Sequence, residues 1–343
     1  MKNGFRVSVG RLPIAAGVTF FTPINDIMAT AQWLLYGRKI NATTIDRDPI
    51  FILGHWRSGT TLLHELLVTD PQFASPNTFQ CFAPSHFLLS EYLMLRFGNF
   101  LLPKKRPMDE MKAGWTLPQE DEFALMNLGV PTPYLRIAFP KTQCQALEYL
   151  DMQDLSAAQR QHWCERFLWF IKVLTYHYEQ RQLILKSPPH TGRVAELIQL
   201  FPNAKFIHLT RDPRKLFLST MRLWRSLDEV QGLQKTDDEA ALKCYVADCL
   251  RRMYRGFEAG RPHIPTGHLI ELSYEDLVAN PLQSIRDIYR NLELGDFSQV
   301  EPALQERLAG HDDYRTNQHA VDDDFEREVL ELWSDYAKKY GYA

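Results

Sequence analysis

Gly54 and Gly59 bracket a short polar turn that holds Arg57 and Ser58 and leads into Thr60 and Thr61. An apolar, β-branched run, Ile50 to Leu53, precedes the turn, and apolar residues at helical spacing follow from Thr60 to Leu67. Strand, glycine-bounded loop and helix in that order build an anion site. Successive backbone N–H groups and the positive end of the helix converge where a phosphate or sulfate can sit. The spacing is nearly that of a nucleotide-triphosphate loop, G-x-x-x-x-G-K-[ST], but Thr60 stands where the lysine belongs. A triphosphatase uses that lysine on the β- and γ-phosphates. This loop is therefore expected to cradle an anion without splitting ATP.

Two further stretches carry charge to strand ends. In "HLTRDPRKLFLSTMRLW", Arg211 leaves a strand and Ser219 follows eight residues on, about two turns into the next helix. A phosphate near that strand end can accept from the guanidinium and the hydroxyl together. Lys215, one turn before Ser219, adds charge on the same face. The plainer reading of Arg211-Asp212-Pro213 is a helix cap beside a surface arginine. In "LILKSPPH", Lys186 ends a second strand at the edge where ligands gather in doubly wound folds. A lysine buried there needs an anionic partner.

Trp56-Arg57-Ser58-Gly59-Thr60-Thr61 resembles the 5′-phosphosulfate loop of sulfotransferases that use 3′-phosphoadenosine 5′-phosphosulfate (PAPS). Cytosolic members carry lysine where Arg57 stands, and the R-S-G-T-T form is similar to the bacterial and tyrosylprotein branches. The resemblance extends through K-S-P-x-H, R-D-P with its serine, and "SYEDLVANP", in the family's order from Pro49 to Pro281. It implies that Arg57, Ser58, Gly59, Thr60, Thr61 and Leu62 bind the 5′ end of the donor. Arg211 and Ser219 would hold its 3′-phosphate, and Tyr274 would line the adenine pocket. Lys186 would bear on the transferring group, and His190 would point near the acceptor. Tyr274 reads equally well as a structural tyrosine, and Glu275 and Asp276 as acids at a helix start. The late Arg-Lys-Gly loop of the cytosolic branch is absent.

A general base must also reach the acceptor's proton. The position of the tyrosylprotein branch's glutamate falls on Asn77 and Thr78, so that carry-over fails. Glu120-Asp121-Glu122 resembles a P-x-E-D-E segment of the bacterial branch and makes Glu120 the first choice. His190 is the second, since a histidine titrates near neutral pH. Each has a plain alternative, an acid at a helix start or a cap after Pro189.

The bulk properties narrow the partners. A formal net charge of −3 argues against general nucleic-acid binding, and 45% hydrophobic with 24% charged residues is ordinary for a globular protein. Five cysteines, at 81, 144, 164, 244 and 249, form no C-x-x-C pair, which reads as reduced thiols in a cytoplasmic protein. The eleven histidines show no metal-ligand spacing, so no metal is implied. Leu12 to Tyr36 is the most apolar early segment, and Pro13, Pro23, Asn25 and Asp26 are expected to break it short of a bilayer span. It reads as a packed N-terminal helix, or else as a segment that lies on a membrane surface or covers a substrate cleft.

These residues need positioning elements. "NDIMATAQWLLYG" predicts a helix from an Asn/Asp cap to Gly37, and "SHFLLSEYLMLRF" another, with a basic turn at Lys104-Lys105-Arg106. "LPQEDEFALMNLG" predicts a helix entered through Pro118, with three acids in its first turn. A long helix is expected from Ser156 to about Gln180, and one from Pro213, capped by Asp212, to about Trp224. A polar stretch from Asp228 to Asp238, a further helix to about Phe257, and helical segments at Leu282–Leu292 and Asp322–Tyr340 complete the chain. Four strands, "IFIL", "QLILKS", "AKFIHLT" and "GHLIEL", alternate with them. The fold expected is α/β, a P-loop-like parallel sheet flanked by helices, with helical insertions. Residues 1–48 read as an N-terminal helical extension and 49–343 as a single sulfotransferase-like domain.

The activity expected is metal-free transfer of a sulfuryl group from PAPS to the hydroxyl or amine of a small-molecule, glycan or lipid acceptor. Two rivals stand beside it: a kinase-like nucleotide-dependent phosphotransferase, and a non-catalytic nucleotide-binding protein at a membrane surface. Neither the acceptor nor the oligomeric state follows from the residues.

Overall fold

A computed structural model describes residues 6–98, 102, 113–141, 146–236, 238–309 and 323–343. The Lys104-Lys105-Arg106 turn, Cys144 and Asp322 lie outside the described residues. Two compact units are formed, one from Met1–Asp46, Ser75–Gln180 and Met221–Tyr245, the other from Arg47–Ala74, Arg181–Thr220 and Val246–Ala343.

The second unit holds the sheet. Its strands are β1 (Ile50–Leu53), β2 (Phe73–Ala74), β3 (Gln182–Lys186), β4 (Lys205–Thr210) and β5 (Leu269–Ser273), in the order β2-β3-β1-β4-β5. All pairings are parallel, with Ile50 opposite Ile184 on one side and Lys205 on the other. Every β1 residue is fully buried, as expected of a central parallel strand covered on both faces. Ile50 and Ile52 pack with Leu63, Leu67, Ile207 and Ile288 on one face. Phe51, pointing the other way, meets the rings of His190, Phe201 and Phe206. The four expected strands are present; β2 escaped prediction because two residues show no alternation.

The first unit is helical among its described residues. Its longest described helix, α1 (Leu12–Ala42), is followed in the chain by the loop-bearing helix α2 (Thr60–Leu67) of the other unit. The α1 helix rests on the helix Ala157–His177 through the Tyr36 and Tyr176 rings, 6.1 Å apart, and through Lys172 Nζ donating to Asn41 O at 3.2 Å. Leu88 N donates to Gln32 Oε1 at 2.9 Å and ties it to the helix Phe87–Phe97.

Several boundaries depart from expectation for physical reasons. Pro13 and Pro23 do not break α1, which runs unbroken for 31 residues. Pro13 lies in its first turn, where a missing N–H costs nothing. Around Pro23 the hydroxyls of Thr19 and Thr22 donate to the carbonyls of Ala15 and Val18 in the turns before it, while the ring removes only the single bond to Thr19 O. The cap expected at Asn25 and Asp26 is therefore interior. The acidic helix starts at Glu122, and Pro118 instead bridges Asn77 in antiparallel fashion. The helix from Pro213 runs on to Val230. Asp228 does not end it, because its carboxylate is taken up by a two-pronged ion pair from Arg136, NH1 at 2.6 Å and NH2 at 3.0 Å. The helix from Ser156 begins with a capping box to Gln159 and ends at His177.

Candidate active site

The anion loop is fastened from below. Gly54 N donates to Thr191 Oγ1 at 2.8 Å, and the same hydroxyl donates back to Gly54 O at 3.2 Å. Ser58 closes the turn onto His55 O with its amide at 3.1 Å and its hydroxyl at 2.8 Å. Thr220 Oγ1 reaches Trp56 O at 3.2 Å. Gly54 is required here: its φ is 147°, and an added Cβ would lie 2.6 Å from Ser58 Oγ and 2.7 Å from Leu209 O. His55 is fully buried, and burial pushes its imidazole down to about 3 despite its bond to Trp56 O. It is neutral at physiological pH.

Gly59, in the left-handed region at φ 97°, hands the chain to α2, whose N-terminus no side chain caps. A Cβ there would run 2.2 Å from Tyr274 Cδ2, so the tyrosine ring lies directly on the loop. The Arg211 guanidinium stacks on that ring with its carbon 4.3 Å from the centroid. Arg211 NH1 also donates to Arg57 O at 2.6 Å, and Arg57 Nε donates to Ser219 Oγ at 3.1 Å. Arg57 itself has φ 70°, a left-handed conformation that is uncommon for a long side chain and concentrates at binding sites. Lys186, buried at the end of β3, donates from Nζ to Thr61 Oγ1 at 3.4 Å.

Three cations from three strand ends, Arg57, Lys186 and Arg211, thus join one connected group with Gly59, Thr61, Ser219 and Tyr274. All belong to the second unit. The group suits a ligand with two anionic ends and a flat ring. Arg211 Nε is buried with no hydrogen-bond partner, and the glycine-bounded turn leaves backbone where side chains would fill. Lys215, by contrast, is exposed.

Sequence reasoning missed the groups that hold this cluster. Tyr336 Oη accepts from Arg211 N at 3.0 Å and donates to Arg211 O at 2.9 Å, clamping the strand end. Tyr342 Oη lies 3.4 Å from Thr210 Oγ1 and 3.2 Å from Glu275 Oε2. No local pattern marks a tyrosine that acts more than a hundred residues away. Thr191 and Thr220 adjoin residues already singled out, His190 and Ser219, and that adjacency was the signal available. Asp212 does cap the helix, accepting from Arg214 N at 2.9 Å. Burial pushes its carboxyl up, but the Arg214 bonds outweigh that and hold it below the usual range.

The two base candidates sit differently. Glu120 belongs to the first unit, ahead of the helix it was expected to start, and accepts from Tyr134 Oη. Glu122 is fully buried and accepts from Thr132 Oγ1. His190 is fully buried in the second unit, its ring edge-on to Phe51 at 5.5 Å. Among the described residues no group of three or more His, Cys, Asp or Glu could hold a metal.

Comparison with known proteins bears on the family and the fold. The model of the sulfotransferase family matches residues 49–299. The ω-hydroxy-β-dihydromenaquinone-9 sulfotransferase Stf3 of Mycobacterium tuberculosis is 38% identical over 346 residues, spanning 100% of this chain and 87% of that protein, and its Mycobacterium bovis counterpart matches equally. Among solved structures, the fold is similar to sulfotransferase STF1 of M. tuberculosis (TM-score 0.67, 18% identity, 97% of this chain and 88% of that one). It is also similar to STF9 of Mycobacterium avium (TM-score 0.65, 20% identity, 91% and 81%). The glycine-bounded loop, the strand-end cations and a match across most of the chain together show that this protein belongs to the sulfotransferase family and is an enzyme of sulfuryl transfer.

Proposed function

We propose that this sulfotransferase draws its sulfuryl group from PAPS and passes it, without a metal, to the hydroxyl of a long, apolar lipid alcohol. The observation that carries the donor assignment is the connected cluster of Arg57, Lys186 and Arg211 around the uncapped start of α2. Two anionic ends need two sets of cations, here joined through the Arg57–Ser219 bond. Arg57, Lys186 and the first-turn amides Thr60, Thr61 and Leu62 serve the 5′ end. Arg211 and Ser219 serve the 3′-phosphate, and the Tyr274 ring serves the base.

PAPS supplies a sulfuryl group on a good leaving group, adenosine 3′,5′-bisphosphate. The protein's share is position and charge. Lys186 and Arg57 hold positive charge where the bridging oxygen gains negative charge as its bond to sulfur breaks. A proton must leave the acceptor hydroxyl as its oxygen bonds to sulfur, and Glu120 is the residue we assign to take it. The acceptor class rests on the relative Stf3, whose name gives a hydroxylated menaquinone as its substrate and which aligns with the whole of this chain.

The test is transfer from ³⁵S-labelled PAPS to a polyprenyl alcohol, a sugar, a phenol and a peptide in parallel, with and without chelator. Transfer to the polyprenyl alcohol that survives chelation is the expected result. Preference for the sugar or peptide overturns the acceptor class. Loss in chelator with return on adding magnesium overturns the metal-free reading.

A further inference from the structure

The α1 helix leaves its apolar residues exposed, and from Leu12 to Ile27 nearly every position around its circumference is exposed. At about 100° of turn per residue, Phe20, Ile24, Ile27, Ala31, Leu34 and Leu35 share one side of it. The opposite side also exposes Ile14, Val18 and Trp33 and is buried only towards the C-terminal end, at Gln32, Gly37 and Ile40. Phe20, Ile27, Leu34 and Leu35 are 71, 68, 68 and 65% exposed. An ordinary surface helix does the reverse, burying its apolar stripe and wetting its polar one. Asp26, the helix's single acid, lies on the side of Gly37 and Ile40. In the same unit the helix Phe87–Phe97, bonded to α1 through Leu88 and Gln32, exposes Tyr92, Leu93 and Phe97. So large an apolar surface marks an interaction site.

Charge and tethering identify the partner. No charged residue lies between Leu12 and Asn25, whereas Arg6 and Arg11 precede the helix and Arg38 and Lys39 close it. Laid in the plane of a bilayer, such a helix sets its apolar middle against hydrocarbon and its cationic ends against anionic headgroups.

The stretch Val9–Ala42 is long and apolar enough to cross a membrane. Yet both its ends are tied to the same unit. Ser8 N donates to Leu233 O at 2.9 Å and Gln234 Nε2 to Arg6 O at 2.9 Å. At the far end Lys172 Nζ donates to Asn41 O at 3.2 Å, and Gln180 Nε2 to Thr44 O at 3.2 Å. A spanning helix must place its ends on opposite sides of about 30 Å of hydrocarbon, which these ties forbid. We propose that α1 lies in the plane of an anionic lipid bilayer and seats the enzyme on it by its exposed apolar residues.

The experiment is flotation of the full chain with vesicles of phosphatidylcholine alone or with phosphatidylglycerol. The chain is compared with Phe20→Ser/Ile27→Ser, two exposed changes that leave the buried side intact; an unchanged melting temperature confirms the fold. The expected result is binding to the anionic vesicles, weakened at least tenfold by the double variant and released by alkaline carbonate. Absence of vesicle binding by the parent overturns the proposal, as does equal binding by the variant. Resistance to carbonate overturns the in-plane placement in favour of spanning. A parent dimer that the variant splits, with no vesicle binding, assigns the face to a second copy and overturns the lipid assignment.

Discussion

The helices α1 and α2 are opposite in construction. The α2 helix has eight residues and starts at a left-handed glycine, and its N-terminus is surrounded by side chains from three strand ends and a later helix. The α1 helix has thirty-one residues and leaves most of its large apolar residues exposed. The first is positioned inward by hydrogen bonds. The second is left outward, where only its apolar area matters. Chemistry at the donor needs geometry, so its residues are overdetermined. Attachment to a surface needs area, so its residues are interchangeable. Single substitutions should therefore be severe around α2 and mild, or additive, along α1.

The largest effect expected is at the proposed proton acceptor. Loss of a general base typically costs on the order of 10²–10⁴ in rate, so Glu120→Gln should lose turnover on that scale and flatten the basic-going limb of the pH–rate profile. His190→Asn, beside buried Phe51, should lower stability more than it alters that profile. Full turnover in Glu120→Gln with a lost limb in His190→Asn would reverse the assignment.

Next is the loop cation. Arg57→Ala removes a charge-bearing donor, a loss worth ~2.7–4 kcal/mol in the barrier, or roughly 10²–10³ in kcat. Its thermal melt should move little, since the loop keeps its bonds through Ser58 and Thr191. Near-normal turnover would break the claim that this loop holds the reacting end of the donor.

Arg211→Ala and Ser219→Ala sharpen the two-ended reading. Hydrogen bonds to charged groups contribute about 1.5–3 kcal/mol, so Arg211→Ala should weaken adenosine 3′,5′-bisphosphate roughly tenfold or more by calorimetry. Binding of 5′-AMP should change little, and Ser219→Ala should follow the same pattern more weakly. Equal losses for both nucleotides would make the pair structural.

The smallest effect is a slope with pH. His55 is held neutral to about 3 by burial, and His208, buried against Glu271 and Tyr254, is lowered for the same first reason. In the unfolded chain both titrate near the ordinary histidine value of roughly 6.5. Between those values the unfolded state holds more protons, so stability is full above pH of about 6.5 and falls as pH drops below it. For His55 the slope approaches about 1.4 kcal/mol per pH unit below that point, and His208 acts in the same direction. Denaturant melts from pH 8 to 5 measure it, and His55→Gln should lessen the slope.

The resemblance and the fold stand together with the family match, which removes the phosphotransferase and non-catalytic rivals. Much of this was legible because it is local. An apolar run, two glycines and helical spacing specify strand, turn and helix within nineteen residues, Pro49 to Leu67. Asp212-Pro213 and Ser156 with Gln159 likewise announced their helix starts, since a cap is satisfied by neighbours two or three residues away. The long N-terminal helix was misread for the converse reason. Pro23 and the Asn25-Asp26 pair are local stop signals, and the helix continues through them with Thr19 and Thr22 bonding to its carbonyls.

By itself, then, the sequence determined the order of strands and helices, the anion loop and the charges at the strand ends, because period and spacing act over a few residues. Only the tertiary structure decided that Tyr336 clamps Arg211, that Tyr274 lies on Gly59, that Asp228 is paired with Arg136 instead of ending a helix, and that α1 faces outward. Each depends on which distant segment arrives at a surface, and that is set by packing of the whole chain, for which no local pattern carries a signal.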